Sequence, residues 1–304
     1  MTNLLSFKNK SRLVVIPLVL FLICFIPQTV YSQTDLQVSK EYMIKLKDGG
    51  TITGTLVSQN SEQIIVQTKS MGRVTIERTN IDEMVLLTAG DAGKGWFPNP
   101  NPSKYLLGNS AIATEKGTGY YQNTWLFFNS FSYSFTDFFS LTGGFEIFSL
   151  FAGGEGPYAF YLNPKVSFNV TDNLYAGGNI LYANTIKTVD EFGGLGTFNA
   201  FATYGNKNNN LTASFGWGFV EGDFSSKPVI SVSGMVRATR RIGFVSENWL
   251  IPEVGEDGSY YGIFSYGVRF LGENISVDLA FINNPDIAGA LFIGIPFLDF
   301  VFNF

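Results

Sequence analysis

The stretch that decides the fold is Pro296-Phe-Leu-Asp-Phe-Val-Phe-Asn-Phe304. Every second side chain of this stretch is a large apolar one, and these share one face: Leu298, Phe300, Phe302 and Phe304. Asp299 and Asn303 lie on the opposite face with Val301. Alternation with a period of two predicts a β-strand. A phenylalanine face opposite a face with a carboxylate and an amide is typical of a barrel strand between acyl chains and a polar lumen.

The opposite end of the sequence reads as a secretory signal peptide, predicted over residues 1–32. Lys8, Lys10 and Arg12 precede an unbroken apolar run of 13 residues, from Leu13 to Phe25. That run is short for a membrane-spanning helix, and cleavage is expected after Ser32. A lipoprotein signal around Cys24 is the alternative.

The composition excludes several classes of function. The chain has no histidine, and Cys24 is its single cysteine. A Ser-His hydrolase, a histidine metal site and a disulfide framework are therefore excluded, and we expect no catalytic residue, metal or cofactor. The net charge of −5 argues against nucleic acid as a partner. Aromatic residues make up 16% of the chain and charged residues only 15%, a composition that suits a membrane barrel.

Residues 36–88 differ from the rest in being charged and poor in aromatics. Five short alternating runs, separated by turns such as Asp48-Gly49, predict a small closed β-barrel of the SH3-like class. The stretch from Leu46 to Met84 resembles the Sm-like and SH3-like modules attached to bacterial envelope proteins. The resemblance implies a periplasmic module that contacts a periplasmic protein or peptidoglycan, or that has no ligand. Residues 89–103, rich in glycine and proline, are predicted to be a linker.

From residue 104 to 304 the pattern predicts an all-β, antiparallel, up-and-down transmembrane barrel of about 12 strands. The predicted strands are 104–114, 119–135, 138–149, 157–170, 174–185, 195–205, 210–220, 228–239, 242–250, 260–271, 275–283 and 290–304. Short turns alternate with longer connections, of which the first is 115–118. Because outer-membrane barrels have short periplasmic turns, both ends of the barrel are expected in the periplasm. The strand 104–114 is required by this parity.

Alternation also assigns side chains to the lumen. The charged residues predicted to face inward are Glu146, Lys165, Arg237, Glu247, Arg269, Asp278 and Asp299. Their signs nearly balance, whereas a strongly selective pore would have a ring of one sign. This balance leaves three interpretations open: ion pairs that brace a narrow lumen, a selective constriction, or a carboxylate-based catalytic site.

One pair within this set can be predicted from the register. A two-residue turn at Glu273-Asn274 sets Arg269 directly opposite Asp278, with both side chains in the lumen. We expect a cross-strand ion pair there.

Two further resemblances concern the barrel. The terminal strand with Phe300, Phe302 and Phe304 resembles the C-terminal assembly signal of bacterial outer-membrane barrels. The segment from Lys94 to Trp125 and the segment Val245-Ser-Glu-Asn-Trp-Leu-Ile-Pro252 resemble a family of outer-membrane barrel proteins from Bacteroidota-type bacteria. The resemblance of the terminal strand implies the barrel-assembly machinery as a partner. The family resemblance implies an outer-membrane location, with outer-membrane lipid as a partner, and a barrel fold, and it implies no activity.

The sequence leaves three hypotheses about function. The first is a non-enzymatic outer-membrane barrel, including a narrow pore for small solutes. The second is an envelope adaptor whose small domain binds a periplasmic partner. The third is a lipid-modifying barrel enzyme that works without histidine, with Glu146 or Glu247 as its carboxylate.

Overall fold

The computed structural model describes residues 36–87, 96–151, 158–186, 193–252, 260–285 and 293–304. The predicted signal peptide, residue 88 of the predicted small domain and residues 89–95 of the predicted linker lie outside these ranges. The residues from Val38 onward form one compact unit. Two antiparallel sheets make up this unit.

The first sheet, called here the small sheet, has five strands. They are β1 (Glu41–Leu46), β2 (Thr51–Gln59), β3 (Gln63–Thr68), β4 (Gly72–Glu77) and β5 (Ile81–Leu86). Their order in the sheet is β4-β3-β2-β1-β5. Ile44, Leu56, Ile64 and Val66 are fully buried, because alternation puts the apolar members of each strand on one face. Closure of this sheet into an SH3-like barrel stays a prediction.

The second sheet closes on itself as a barrel of twelve strands. The strands are β6 (Gly119–Thr124), β7 (Phe128–Ser134), β8 (Phe139–Glu146), β9 (Tyr158–Thr171), β10 (Leu174–Ile186), β11 (Leu195–Gly205), β12 (Asn209–Val220), β14 (Val229–Arg237), β15 (Ile242–Pro252), β16 (Tyr260–Leu271), β17 (Ile275–Asn283) and β18 (Ile295–Asn303). Each strand pairs with its neighbours in the chain, and β18 pairs with β6 to close the barrel. The two-residue strand β13 (Asp223–Phe224) lies between β12 and β14 and pairs only with β12. The predicted fold class is confirmed.

Two of the predicted strands are wrong, and the two errors cancel in the count. Residues 104–114 form no barrel strand, since their one bridge joins Lys104 to Asn109 within the segment. The predicted strand 119–135 is instead the hairpin of β6 and β7. As a consequence, the connection 115–118 belongs to the short-turn end of the barrel and not to the end with the longer connections.

The sequence pattern did not indicate the β6–β7 hairpin, because its turn at Trp125 and Leu126 contains none of the residues that usually form turns. Trp125 and Leu126 take φ values of 50° and 66°, which bulky residues rarely adopt. Packing compensates for this strain. The Trp125 indole donates to the Pro296 carbonyl at 2.7 Å, and its ring packs edge-on against Phe297 with centroids 5.3 Å apart.

The barrel is apolar outside and polar inside. Exposed outward residues come from most of the barrel strands, for example Phe131, Phe168, Phe215, Phe244, Leu279 and Phe302. Buried serine and threonine side chains line the inside, for example Ser132, Thr142, Ser167, Thr212, Ser233 and Ser265. An apolar exterior around a polar interior inverts a soluble core and matches a barrel that lies in lipid. No helix among the described residues is long and apolar enough to cross a membrane.

Candidate functional site

A segment of the chain, not a strand, occupies the short-turn half of the lumen. We call it the plug (residues 97–112). Its middle folds into a tight hairpin, in which the Tyr105 amide donates to the Gly108 carbonyl at 2.9 Å and the Ser110 amide donates to the Ser103 carbonyl at 3.0 Å. Phe97, Tyr105 and Leu106 are each only 1% exposed. The charged residues of the barrel wall converge on this segment.

Arg269 binds both a carboxylate of the wall and the backbone of the plug. Its guanidinium binds both oxygens of Asp278 at 2.7 Å, in the register predicted from the β16–β17 turn. The remaining N–H groups donate to three plug carbonyls, those of Asn101 at 2.9 Å, Lys104 at 3.1 Å and Tyr105 at 2.7 Å. Because the pair is fully buried, Arg269 needs all of these acceptors to compensate for its lost hydration.

Glu247, on the neighbouring strand β15, holds the tip of the plug. Its carboxylate accepts hydrogen bonds from three successive backbone amides, those of Leu106, Leu107 and Gly108, at 2.9–3.0 Å. The Trp249 indole donates a fourth, at 2.7 Å. Successive N–H groups around one carboxylate make an anion-binding concavity, so backbone and indole donors stabilise the charge of Glu247.

Two more cations of the wall bind the ends of the plug. The Lys165 ammonium donates to the carbonyls of Ser103 and Ile112, both at 3.2 Å. Arg237 donates to the Phe97 carbonyl at 2.8 Å, and its guanidinium lies 4.7 Å from the centre of the Phe97 ring. Both cations therefore bind backbone oxygens of the plug.

Asp299 belongs to a polar network on the wall beside the plug. It lies directly opposite Asp278 in the β17–β18 register. It accepts from the Gln122 amide at 2.9 Å and from the Thr124 hydroxyl at 2.6 Å. The Lys104 ammonium of the plug donates to the other end of Gln122, which links the plug to this network.

Apolar packing supplements the polar contacts. Phe97, Tyr105 and Leu106 pack in one buried cluster with wall residues and with the small sheet. The other members of that cluster are Met43, Leu87, Met235, Val245, Leu271, Ala280 and Phe297. The Tyr105 hydroxyl reaches Asn210 and Thr212 at 2.7 and 2.6 Å. The plug is therefore packed and hydrogen-bonded like a folded core element.

The small sheet meets the barrel at the short-turn end. Lys45 on β1 bridges Glu83 at 2.9 Å and Glu273 of the β16–β17 turn at 3.4 Å. Partial burial alone would lower the pKa of Lys45, but the two carboxylates offset this and leave the pKa above its ordinary value. The ion pair is therefore complete at neutral pH and is lost only as the pH rises through that raised pKa.

The structure brings together most of the charged residues that were predicted to face the lumen. Lys165, Arg237, Glu247 and Arg269 bind the plug, whereas Asp278 binds Arg269. Glu146 lies apart, partly exposed at the far end of β8, where it accepts from the amides of Ser149 and Ala159.

The phenylalanines of the predicted assembly signal lie on the outside of the barrel. Phe302 and Phe304 are exposed, and Phe300 is partly exposed. Their part in assembly stays a prediction.

Sequence reasoning missed the plug itself. The stretch Lys104-Tyr-Leu-Leu107 places three large nonpolar residues in succession after Pro98, Pro100 and Pro102. Neither feature suits a lipid-facing strand, which needs alternation and backbone donors. The strand 104–114 was predicted in spite of these features, because an even number of strands was needed to keep both ends of the barrel on the periplasmic side.

Comparison with known proteins yields structural likeness alone. No family model and no curated protein matches the sequence. Among solved structures, the chain is similar to the NanC porin, with 6% identity, 61% of this chain and 97% of that chain covered, and a TM-score of 0.38. It is similar to OprD of Pseudomonas aeruginosa, with 9% identity, coverages of 91% and 98%, and a TM-score of 0.34. A variant of OmpT, an outer membrane protein of Vibrio cholerae, has 10% identity, coverages of 87% and 96%, and a TM-score of 0.32.

The location follows from the barrel's own surface. Twelve antiparallel strands close without a free edge, their outward face is apolar, and their inward face is polar. A closed barrel pairs the backbone groups of its strands with one another within lipid, and it is the architecture of bacterial outer-membrane proteins. The chain is an integral β-barrel protein of the bacterial outer membrane.

Proposed function

We propose that the protein is a non-enzymatic outer-membrane channel for small solutes whose lumen is closed at rest by the plug. One observation carries the proposal: four charged residues of the wall hydrogen-bond to the backbone of the plug. Lys165, Arg237 and Arg269 bind carbonyls, and Glu247 binds amides. Water can replace each of these bonds, so a lumen without the plug would be a hydrated, polar passage.

The balance of charge supports passage of small solutes without strong selection for one sign. Arg269 is neutralised by Asp278, and both acids and bases are among the buried side chains of the wall. A single-sign ring would favour one class of ion. We therefore expect weak ion selectivity once the plug leaves.

Planar-bilayer conductance tests the proposal. The wild-type protein should give rare, brief openings. A variant in which residues 97–112 are replaced by a glycine-serine linker of equal length should give a steady conductance. Heat-modifiable migration of both proteins on gels controls for a folded barrel. A folded plugless variant with no conductance above the wild type would overturn the proposal.

The adaptor hypothesis is a second candidate, supported by the attachment of the small sheet. Met43 and Leu87 share the buried cluster of the plug, and Lys45 reaches Glu273. Within the described residues, the edge strands β4 and β5 each pair on one side only, which leaves backbone groups for another strand.

Site-specific cross-linking in cells would support the adaptor hypothesis. A photo-cross-linker at the exposed Thr75 of β4 should capture one defined protein, or peptidoglycan. The same probe at Thr51, which is exposed on the inner strand β2, is the control.

The enzyme hypothesis gains no support from its two carboxylates. Glu247 is surrounded by four donors inside the lumen, and Glu146 is bound to backbone amides at the rim. Non-enzymatic character is accordingly part of the proposal.

A further inference from the structure

Beyond the plug, toward the end of the barrel with the longer connections, the inward side chains are less buried, and we call this part of the lumen the cup. In the plug-filled half the inward side chains are buried, as Ser167 and Thr203 show at 3% and 0% exposure. Further along the same strands the inward side chains keep partial exposure: Tyr161, Asn163, Asn179, Leu181, Thr197 and Asn199. The plug tip forms the floor, where Leu107 is 55% exposed.

Tyr161 gives the cup a flat aromatic surface. It lies opposite Gly144 in the β8–β9 register. The Tyr161 ring covers Gly144 so closely that no Cβ could fit at that position. The ring is therefore packed against the backbone of the wall at Gly144, and it stays partly exposed. A tyrosine held in this way offers a rigid face to a ligand at little entropic cost.

A row of amides continues from Tyr161 around the wall. The Asn179 amide donates to Asn163 at 2.7 Å, and the Asn199 amide donates to Asn179 at 3.2 Å and to Thr197 at 2.8 Å. These bonds fix the orientation of each side chain. Asn163 ends the row, and its amide nitrogen has no hydrogen-bond partner among the described residues.

The opposite wall of the cup is apolar, and the cup carries little charge. Trp249, Ile251, Ile263 and Ile282 point inward there and are partly exposed. Among the inward side chains that the structure describes between plug and rim, Glu146 alone is charged, and it lies at the rim. A pocket with one apolar wall and a few fixed polar groups is the usual form of a small-molecule site.

From this geometry we propose that the cup is a binding site for an uncharged saccharide, with the sugar ring on Tyr161 and its hydroxyls on Asn163 and Asn179. Carbohydrate rings present an apolar C–H face and a rim of hydroxyls, each both donor and acceptor. Primary amides offer both complements, while carboxylates and ammonium groups would select charged sugars. The site rests on the proposed function for its role in solute entry, but binding itself does not need the plug to move.

Isothermal titration calorimetry on the full-length protein in detergent tests the site. The probes are glucose and maltose, with gluconate and glucosamine as charged analogues of similar size. We expect the neutral sugars to bind and each charged analogue to bind at least about tenfold more weakly. Tyr161→Ala and Asn163→Leu should each weaken maltose binding by about tenfold, the usual effect of one lost contact.

Two further variants make the result specific. Gly144→Ala pushes the Tyr161 ring off the wall and should also weaken binding, although it touches no polar group. Asn169→Leu changes the same residue type with the same inward alternation on β9, but near its short-turn end, and should bind maltose like the wild type.

The outcomes separate this inference from the channel proposal. No heat with either neutral sugar, or equal affinity in the wild type and in folded Tyr161→Ala and Asn163→Leu, would overturn the saccharide site. A plugless barrel that binds maltose but conducts no current would overturn the channel and leave the site standing.

Discussion

At the scale of single residues, Arg269 shows what a buried charge needs. The pairing of Arg269 with Asp278 could be predicted, because the two-residue turn fixes the register and alternation fixes the face. The three plug carbonyls that complete its shell could not be predicted, since they come from a segment some 165 residues earlier in the chain. Local pattern carries no information about such a distant contact.

The burial of the Arg269–Asp278 pair determines how much the pair contributes to the free energy of unfolding. A partly wetted pair across strands would contribute about 0.2–1 kcal/mol. Arg269 and Asp278 are instead excluded from water, with side-chain exposures of 0% and 2%. We expect Arg269→Ala to lower the free energy of unfolding by about 3–5 kcal/mol, because it leaves Asp278 and three carbonyls without their donor.

A double-mutant cycle measures that effect. Urea unfolding of the refolded barrel would be compared for Arg269→Ala, Asp278→Ala and the double variant. The double variant should lose much less than the sum of the two single variants, because it leaves no lone charge. Simple additivity would show that the pair does not act as a unit.

At the scale of elements, two segments have structures that differ from those predicted from the sequence, and the physical reasons are different. The β6–β7 turn at Trp125 and Leu126 uses tertiary packing where most hairpins use glycine or asparagine. The plug has no regular pattern, because its backbone bonds go to wall side chains and to its own hairpin instead of to a barrel strand. The strands with clear alternation, such as β9 and β16, were predicted within a few residues.

The plug tip offers a test of how strongly side chains can hold a backbone. Glu247→Gln keeps the shape of the side chain but replaces one acceptor oxygen and removes the charge. Hydrogen bonds to a charged group contribute about 1.5–3 kcal/mol. Amide exchange at Leu106, Leu107 and Gly108 should therefore become faster by tenfold or more, as followed by hydrogen–deuterium exchange mass spectrometry.

A matched carboxylate controls that experiment. Glu146→Gln removes the same charge at the rim, where Glu146 binds Ser149 and Ala159 and not the plug. It should leave exchange in the plug unchanged. Equal protection of the plug tip in both variants would mean that apolar packing of Tyr105 and Leu106 holds it without Glu247.

At the scale of the whole molecule, the predicted count of about 12 strands is correct although two strands were predicted wrongly. The predicted strand 104–114 is absent from the barrel, and the predicted strand 119–135 is two strands, β6 and β7. Both errors concern residues 104–135, which contain the second half of the plug and the two short strands β6 and β7. The even count keeps Gly119 and Asn303 at the same end of the barrel. The small sheet reaches that end too, through Lys45 and Glu273.

This arrangement predicts the orientation in the membrane. Since short turns of outer-membrane barrels face the periplasm, the small sheet should lie in the periplasm and the β12–β14 connection outside the cell. Two conservative variants test this on intact cells with a membrane-impermeant maleimide: Ser61→Cys in the turn between β2 and β3, and Ser226→Cys in the β12–β14 connection. Both serines are exposed, so accessibility within the fold is matched.

Ser226→Cys should be labelled on intact cells and Ser61→Cys only after the outer membrane is permeabilised. The wild-type chain measures the background from Cys24. Labelling of Ser61→Cys on intact cells would reverse the orientation and place the cup on the periplasmic side.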